Sequence, residues 1–128
     1  MKIVVTGSSG FVGSNVLKKL SKYEVITIDR KLVNKSENCK VKVIDSKTDY
    51  SNLLDNTHCI IHCAARVHIM KDESTNVLED YREVNTAGTL NLARQAAVAG
   101  VQRFIFISSI KVNGESTNIG ESFRTTDE

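Results

Sequence analysis

Ile3-Val4-Val5-Thr6-Gly7-Ser8-Ser9-Gly10-Phe11-Val12-Gly13 decides how the rest of this chain is read. A short apolar run of strand character ends in three glycines spaced three apart, and a helical pattern begins at the last of them. A second apolar run, Val25-Ile26-Thr27-Ile28, closes on Asp29, about 20 residues beyond the glycines. Strand, glycine turn, helix and downstream acid are together what a dinucleotide needs. Gly7 lets the chain turn sharply off the strand. Gly10 lets backbone N–H groups approach a pyrophosphate, and Gly13 lets the helix pack close to the sheet, with the positive end of the helix dipole toward the phosphates. Asp29 stands where a carboxylate accepts both hydroxyls of the adenosine ribose. Glycines of this spacing also occur for turn geometry alone; the flanking strand, helix and acid turn the reading toward a dinucleotide-binding α/β domain.

The 128 residues suffice for one domain with a core of its own, and 17 Lys and Arg stand against 15 Asp and Glu, a balance that calls for neither nucleic acid nor an anionic membrane as partner. No apolar run approaches the ~20 residues of a membrane span, and Met1-Lys2-Ile3 leads straight into the first strand with no signal-peptide stretch. Cys39, Cys59 and Cys63 make an odd set, which favours reduced thiols and a cytoplasmic location.

Val16, Leu17 and Leu20 recur at helical spacing, predicting a helix to about Lys22, followed by a strand over Glu24 to Asp29. Arg30 to Lys40 reads as a surface loop, Val41 to Asp45 as a third strand, Tyr50 to Asn56 as a short helix and Cys59 to Ala65 as a fourth strand. Asn76 with Glu79 resembles a capping box opening one long helix that Gly100 closes, with Leu78, Tyr81, Asn85, Gly88 and Leu92 on one face. Arg103 to Ser108 is the fifth strand. Apolar strands alternating with helices predict an α/β fold, a Rossmann-type doubly wound parallel sheet of about five strands in the order 3-2-1-4-5. Right-handed crossovers then bring Gly7, Asp29, Ala64 and Ser108 to one carboxyl edge.

His58-Cys59, His62-Cys63 and His68 are zinc-ligand types. On a strand, however, the paired histidines point to one face and the cysteines to the other, so no metal site is expected. Asn85 stands out as an amide on an apolar helix face. It either ties the helix to a neighbouring backbone or serves an active site, and the two are compatible.

The turn at Thr6 to Gly13, Asp29, Asp45, the strand end His62-Cys63-Ala64-Ala65, Asn85-x-x-Gly88-Thr89, and Phe104-Ile105-Phe106-Ile107-Ser108-Ser109 leading to Val112-Asn113-Gly114 follow one another in a specific order. In these the chain resembles the N-terminal part of an extended short-chain dehydrogenase/reductase of the nucleotide-sugar epimerase/dehydratase family, from Lys2 to about Gly114. The resemblance implies a partial NAD(P)-binding domain over residues 1–128. In it, backbone groups from Gly7 through Ser9, Gly10, Phe11 and Val12 to Gly13 hold the pyrophosphate, and Asp29 holds the ribose. Asp45 with Ser46 lies against the adenine, Cys63, Ala64 and Ala65 line the nicotinamide-ribose side, and Asn85 lies near the active site. Ser109 matches the catalytic Ser/Thr that hydrogen-bonds the sugar hydroxyl being oxidised. The acid at Asp29 favours NAD over NADP, although Arg30 beside it would offset some repulsion of a 2′-phosphate.

The family's Tyr-x-x-x-Lys pair is not found here: Tyr23, Tyr50 and Tyr81 precede Ser109, and none has lysine four residues on. The 128 residues alone are therefore expected to bind cofactor without turnover, as a truncated product. Dehydratases of the family resemble Thr-Asp-Glu where this chain has Ser109-Ile110-Lys111, so dehydration is not expected, and Asn113 replaces the tyrosine of a Val-Tyr-Gly turn. The resemblance implies an epimerase that transiently oxidises C4 of a nucleotide sugar, or else a 4-ketosugar reductase, in either case with a possible homodimer through the long helix. A non-catalytic dinucleotide sensor is the reading from another class, and Ser109 argues against it. A Tyr-x-x-x-Lys in the gene beyond Glu128 would separate enzyme from sensor.

Overall fold

The computed structural model describes residues 1–32, 37–67, 76–124 and 126. Five parallel strands form one sheet, β1 (Lys2–Thr6), β2 (Glu24–Asp29), β3 (Cys39–Val41), β4 (Thr57–His62) and β5 (Arg103–Phe106), in the order β3-β2-β1-β4-β5. The expected order 3-2-1-4-5 is the one observed. Helices α1 (Phe11–Lys19), α2 (Ser51–Leu54), α3 (Val77–Arg82) and α4 (Thr89–Val98) make the crossovers.

Strand alternation sends side chains to two cores. On one face Val4, Ile28 and Ile60 pack with Ile44, Tyr50, Leu54, Leu92 and Ala96, joining the sheet to α2 and α4. On the other, Ile3, Val5 and Cys59 pack against Leu17 and Leu20 of α1. Each fully buried Val, Ile or Leu contributes roughly 1.5–3 kcal/mol, so these rows hold the layers together.

The ladders also fix the sheet edge. Thr6 is paired with Ile28 on one side and His62 on the other, and His62 with Phe106. The strands thus end level, and Gly7, Asp29 and Cys63 leave the sheet side by side.

Several boundaries differ from the sequence reading. α1 ends at Lys19, short of Lys22. The third strand lies earlier than expected, over Cys39–Val41, because β2 stops at Asp29 and offers Val41 its last partner. The apolar residues Val43 and Ile44 therefore follow the strand instead of forming it, and Cys39 and Lys40 leave the expected loop, of which residues 33–36 lie outside the described residues. β4 begins at Thr57 and ends at His62, so Ala64 and Ala65 belong to the loop beyond it. β5 ends at Phe106, short of Ser108. The long helix is interrupted by a π-helical turn over Glu83–Gly88. That wider turn shifts the register, so Leu78 is exposed although Gly88 and Leu92 are buried on the expected face. The two ends of this helix agree with the reading: the Asn76 side chain accepts from the Glu79 amide at 3.3 Å, and Gly100 follows α4 at φ +74°. No described helix is long and apolar enough to cross a membrane.

Candidate functional site

At the carboxyl edge of the sheet lies a cleft of about 590 Å³. Its walls include Gly7, Ser9, Gly10, Phe11, Val12 and Gly13 from the first turn, Asp29 and Arg30 from the end of β2, and Cys63, Ala64 and Ala65 beyond β4. These eleven expected residues come together. Lys31 and Lys42 also line it, and no pattern in the sequence singled them out.

The turn is built to be thin. Gly7 has φ +66°, and a Cβ there would lie 2.7 Å from the Ala64 Cα, so the first turn and the loop after β4 abut backbone to backbone. A Cβ on Gly13 would stand 2.2 Å from the Gly7 carbonyl oxygen, which is how closely α1 seats on the turn. No side chain caps the start of α1. Its first amides, at Phe11 and Val12, are left at the cleft with the positive end of the helix dipole behind them, the arrangement that receives a phosphate.

Asp29 is 4% exposed and faces this turn. One carboxylate oxygen accepts from the Ser9 amide at 3.1 Å and the Ser9 hydroxyl at 3.0 Å, and the other from the Ser8 hydroxyl. Ser8 was missed by the sequence reading, although a hydroxyl between the turn glycines and a facing acid is a legible pair.

A second polar chain lies just behind the cleft. The Ala64 amide donates to Thr6 Oγ1 at 3.2 Å, and Thr6 Oγ1 lies 2.6 Å from His62 Nδ1. The other ring nitrogen, Nε2, lies 2.9 Å from Thr89 Oγ1, so each hydroxyl pairs with one ring nitrogen, and the neutral ring donates through one and accepts through the other. Burial pushes the His62 pKa down to about 4, so the ring is neutral. This chain ties the ends of β1 and β4 to α4 and fixes the Ala64 backbone against Gly7. Thr6 and Thr89 belong to motifs legible in the sequence, but their link through His62 is not, since they are far apart there.

Four expected site residues do not line the cleft. Asp45 closes a turn, its Oδ1 accepting from Lys47 N, Thr48 N and Thr48 Oγ1. Burial alone would raise its pKa, but hydrogen bonds from Thr48 and Lys47 outweigh that and hold it below the ordinary carboxylate value. The Ser46 amide donates to Glu83 Oε1 at 2.8 Å. Asn85, in the π-helical turn, accepts from Arg66 N at 2.7 Å and donates to Arg66 O at 2.9 Å, so it does tie helix to neighbouring backbone. With the Arg66–Asp80 ion pair at 3.4 Å and the Arg66 guanidinium over the Tyr81 ring, it anchors the loop after β4. Ser109 is exposed, and its hydroxyl accepts from Lys111 N at the start of a 3₁₀ turn over Ile110–Asn113.

The three cysteines are free thiols, and burial raises the pKa of Cys59 and of Cys63. Among the described residues no three His, Cys, Asp or Glu side chains converge as a metal site, and His68 lies outside those residues.

A family model described as "NAD dependent epimerase/dehydratase family" matches residues 3–128. The chain belongs to that family. UDP-glucose 4-epimerase of Vibrio cholerae is 52% identical over 130 residues, covering 98% of this chain and 40% of that protein. Among solved structures, a short-chain dehydrogenase/reductase superfamily protein from Agrobacterium tumefaciens with bound NAD superposes with a TM-score of 0.77 at 27% identity, over 89% of this chain and 34% of that one. A UDP-N-acetylglucosamine 4-epimerase from Methanobrevibacter ruminantium has a TM-score of 0.73 at 27% identity, over 94% of this chain and 42% of that one. The chain thus spans about two fifths of the length of the V. cholerae relative.

Proposed function

We propose that this chain is the NAD-binding portion of a nucleotide-sugar 4-epimerase. The observation that carries the reading is a phosphate-receptive turn with a buried carboxylate, Asp29, facing it across one cleft. The residues present suit the cofactor: the Cβ-free seats at Gly7 and Gly13 leave backbone at the cleft surface, the uncapped start of α1 at Phe11 and Val12 would receive a diphosphate, and Asp29 would accept a ribose.

Held by the glycine turn and Asp29, NAD would supply reversible hydride chemistry at the sugar carbon. This chain's residues would hold and orient. The Ala64 loop, fixed through Thr6, His62 and Thr89, walls the cleft beside the glycine turn. Neutral His62 leaves no charge in the wall. Ser109 would orient the sugar hydroxyl once its local bond to Lys111 is exchanged for substrate. The similarity to the V. cholerae UDP-glucose 4-epimerase supports a uridine diphosphate sugar as substrate class. General-base chemistry is assigned to residues other than these 128, because no tyrosine here has a helical lysine partner.

The reading is tested by thermal melting with and without NAD, together with a UDP-glucose conversion assay on the same sample. The expected result is a raised melting temperature and no UDP-galactose. No shift in a folded sample would overturn the NAD assignment, and turnover by these residues alone would overturn the assignment of the base.

A further inference from the structure

The Asp29 carboxylate already has three donors from its own chain: the Ser9 amide and Ser9 hydroxyl on Oδ1, and the Ser8 hydroxyl on Oδ2. An ionised carboxylate offers about four acceptor positions, so about one remains, on Oδ2. A ribose brings two hydroxyls. One of the resident donors must therefore leave for both to be accepted.

The two serines differ in what leaving costs. Ser8 is 7% exposed and lies beneath the start of α1, where a Cβ on Gly13 would meet its Cα at 2.9 Å. Its hydroxyl, once released, would be a buried group without a partner. Ser9 is exposed on the cleft wall, and its hydroxyl can exchange the carboxylate for water. The Ser9 amide remains in place to hold Oδ1.

We propose that the Ser9 hydroxyl is a placeholder that a ribose hydroxyl displaces, whereas Ser8 is a positioning residue that pins the Asp29 carboxylate and with it the preference for NAD over NADP. This rests on the reading of the cleft as an NAD site. A pinned carboxylate cannot turn away from a 2′-phosphate, and the like charges repel. Without the Ser8 bond, Oδ2 is free to swing aside while the Ser9 amide keeps Oδ1, and the cations Arg30 and Lys31 on the same wall then face the phosphate.

The two neighbouring hydroxyls should therefore act with opposite sign. Calorimetric titration of NAD and of NADP into the chain, Ser9→Ala and Ser8→Ala tests this. Ser9→Ala should bind NAD several-fold tighter, since a competitor is removed, and keep the wild-type NAD-to-NADP ratio. Ser8→Ala should bind NAD about tenfold weaker, the worth of one modest hydrogen bond, and its NAD-to-NADP ratio should narrow by a similar factor. A shift of NAD affinity in the same direction in both variants, or an unchanged ratio in Ser8→Ala, would overturn the proposal while leaving the NAD site standing. If Ser8→Ala does not fold, the sign of the Ser9→Ala shift decides alone. A wild-type chain that binds neither nucleotide would remove the site and the proposal together.

Discussion

His62 makes the stability of this domain depend on pH in a window where few other groups titrate. Its ring is fully buried, bonded to Thr6 and Thr89 and lying 5.9 Å from the rings of Phe104 and Phe106. Burial lowers its pKa from 6.5 to about 4. The unfolded chain therefore takes up a proton at a pH where the folded one does not. Stability is complete above pH 6.5 and falls as pH drops from 6.5 toward 4. At about 1.4 kcal/mol per pH unit the loss reaches roughly 2 kcal/mol by about pH 5, with a limit of roughly 3 kcal/mol. The carboxylates held low, Asp45, Asp49 and Glu83, act in a different window: their contribution is present above their ordinary values of 3.8 to 4.5 and is lost as pH falls through those values. Urea unfolding between about pH 7.5 and pH 5 therefore isolates the histidine. His62→Gln should start from lower stability and show no slope over that range. A flat profile for the natural chain, or the same slope in His62→Gln, would refute the reasoning.

Two further outcomes follow from contact geometry. Gly13→Ala puts a methyl group against the Gly7 carbonyl and should cost about 3 kcal/mol or more in urea unfolding, with loss of NAD binding; a change within about 0.5 kcal/mol would contradict the packing described. Asn85→Ala removes both bonds to the Arg66 backbone and should cost about 1–2 kcal/mol, and hydrogen exchange at the Arg66 amide should speed up without a matching change at β1 amides.

The fold was legible because its signals are local and repeated. Apolar runs ending in the Gly7 turn and at Asp29 fixed which strands lie at the centre, and crossover handedness supplied the order. What was missed depended on partners distant in sequence. The third strand was misplaced because Val41 to Asp45 alternates well enough to be a strand, while its true extent is set by where β2 stops pairing. The π-helical turn left no trace in a 3.6-residue pattern, since Tyr81, Asn85 and Gly88 fit an unbroken helix equally well. At the site, Gly7, Gly10 and Gly13 are legible from their spacing and Ser9, Phe11 and Val12 from the resemblance, and all six line the cleft. Asp45 and Asn85 were taken toward the ligand by resemblance, yet their side chains are engaged with Lys47 and Thr48 and with the Arg66 backbone. Whether a polar side chain faces a cleft or a neighbouring loop is decided by packing that one-dimensional spacing does not carry. The roles of Ser8, Thr6 and Thr89 escape the sequence for the same reason: each acts through a partner on another element.

The central claim is that Asp29 grips the ribose of a dinucleotide whose diphosphate rests on the turn at Gly7 to Gly13. Calorimetric titration of NAD into the natural chain and into folded Asp29→Ala tests it most directly. Saturable one-to-one binding to the natural chain, weakened at least about tenfold by the substitution, is the result this account predicts. Equal affinity in the two proteins, or no binding to the natural chain, would contradict it.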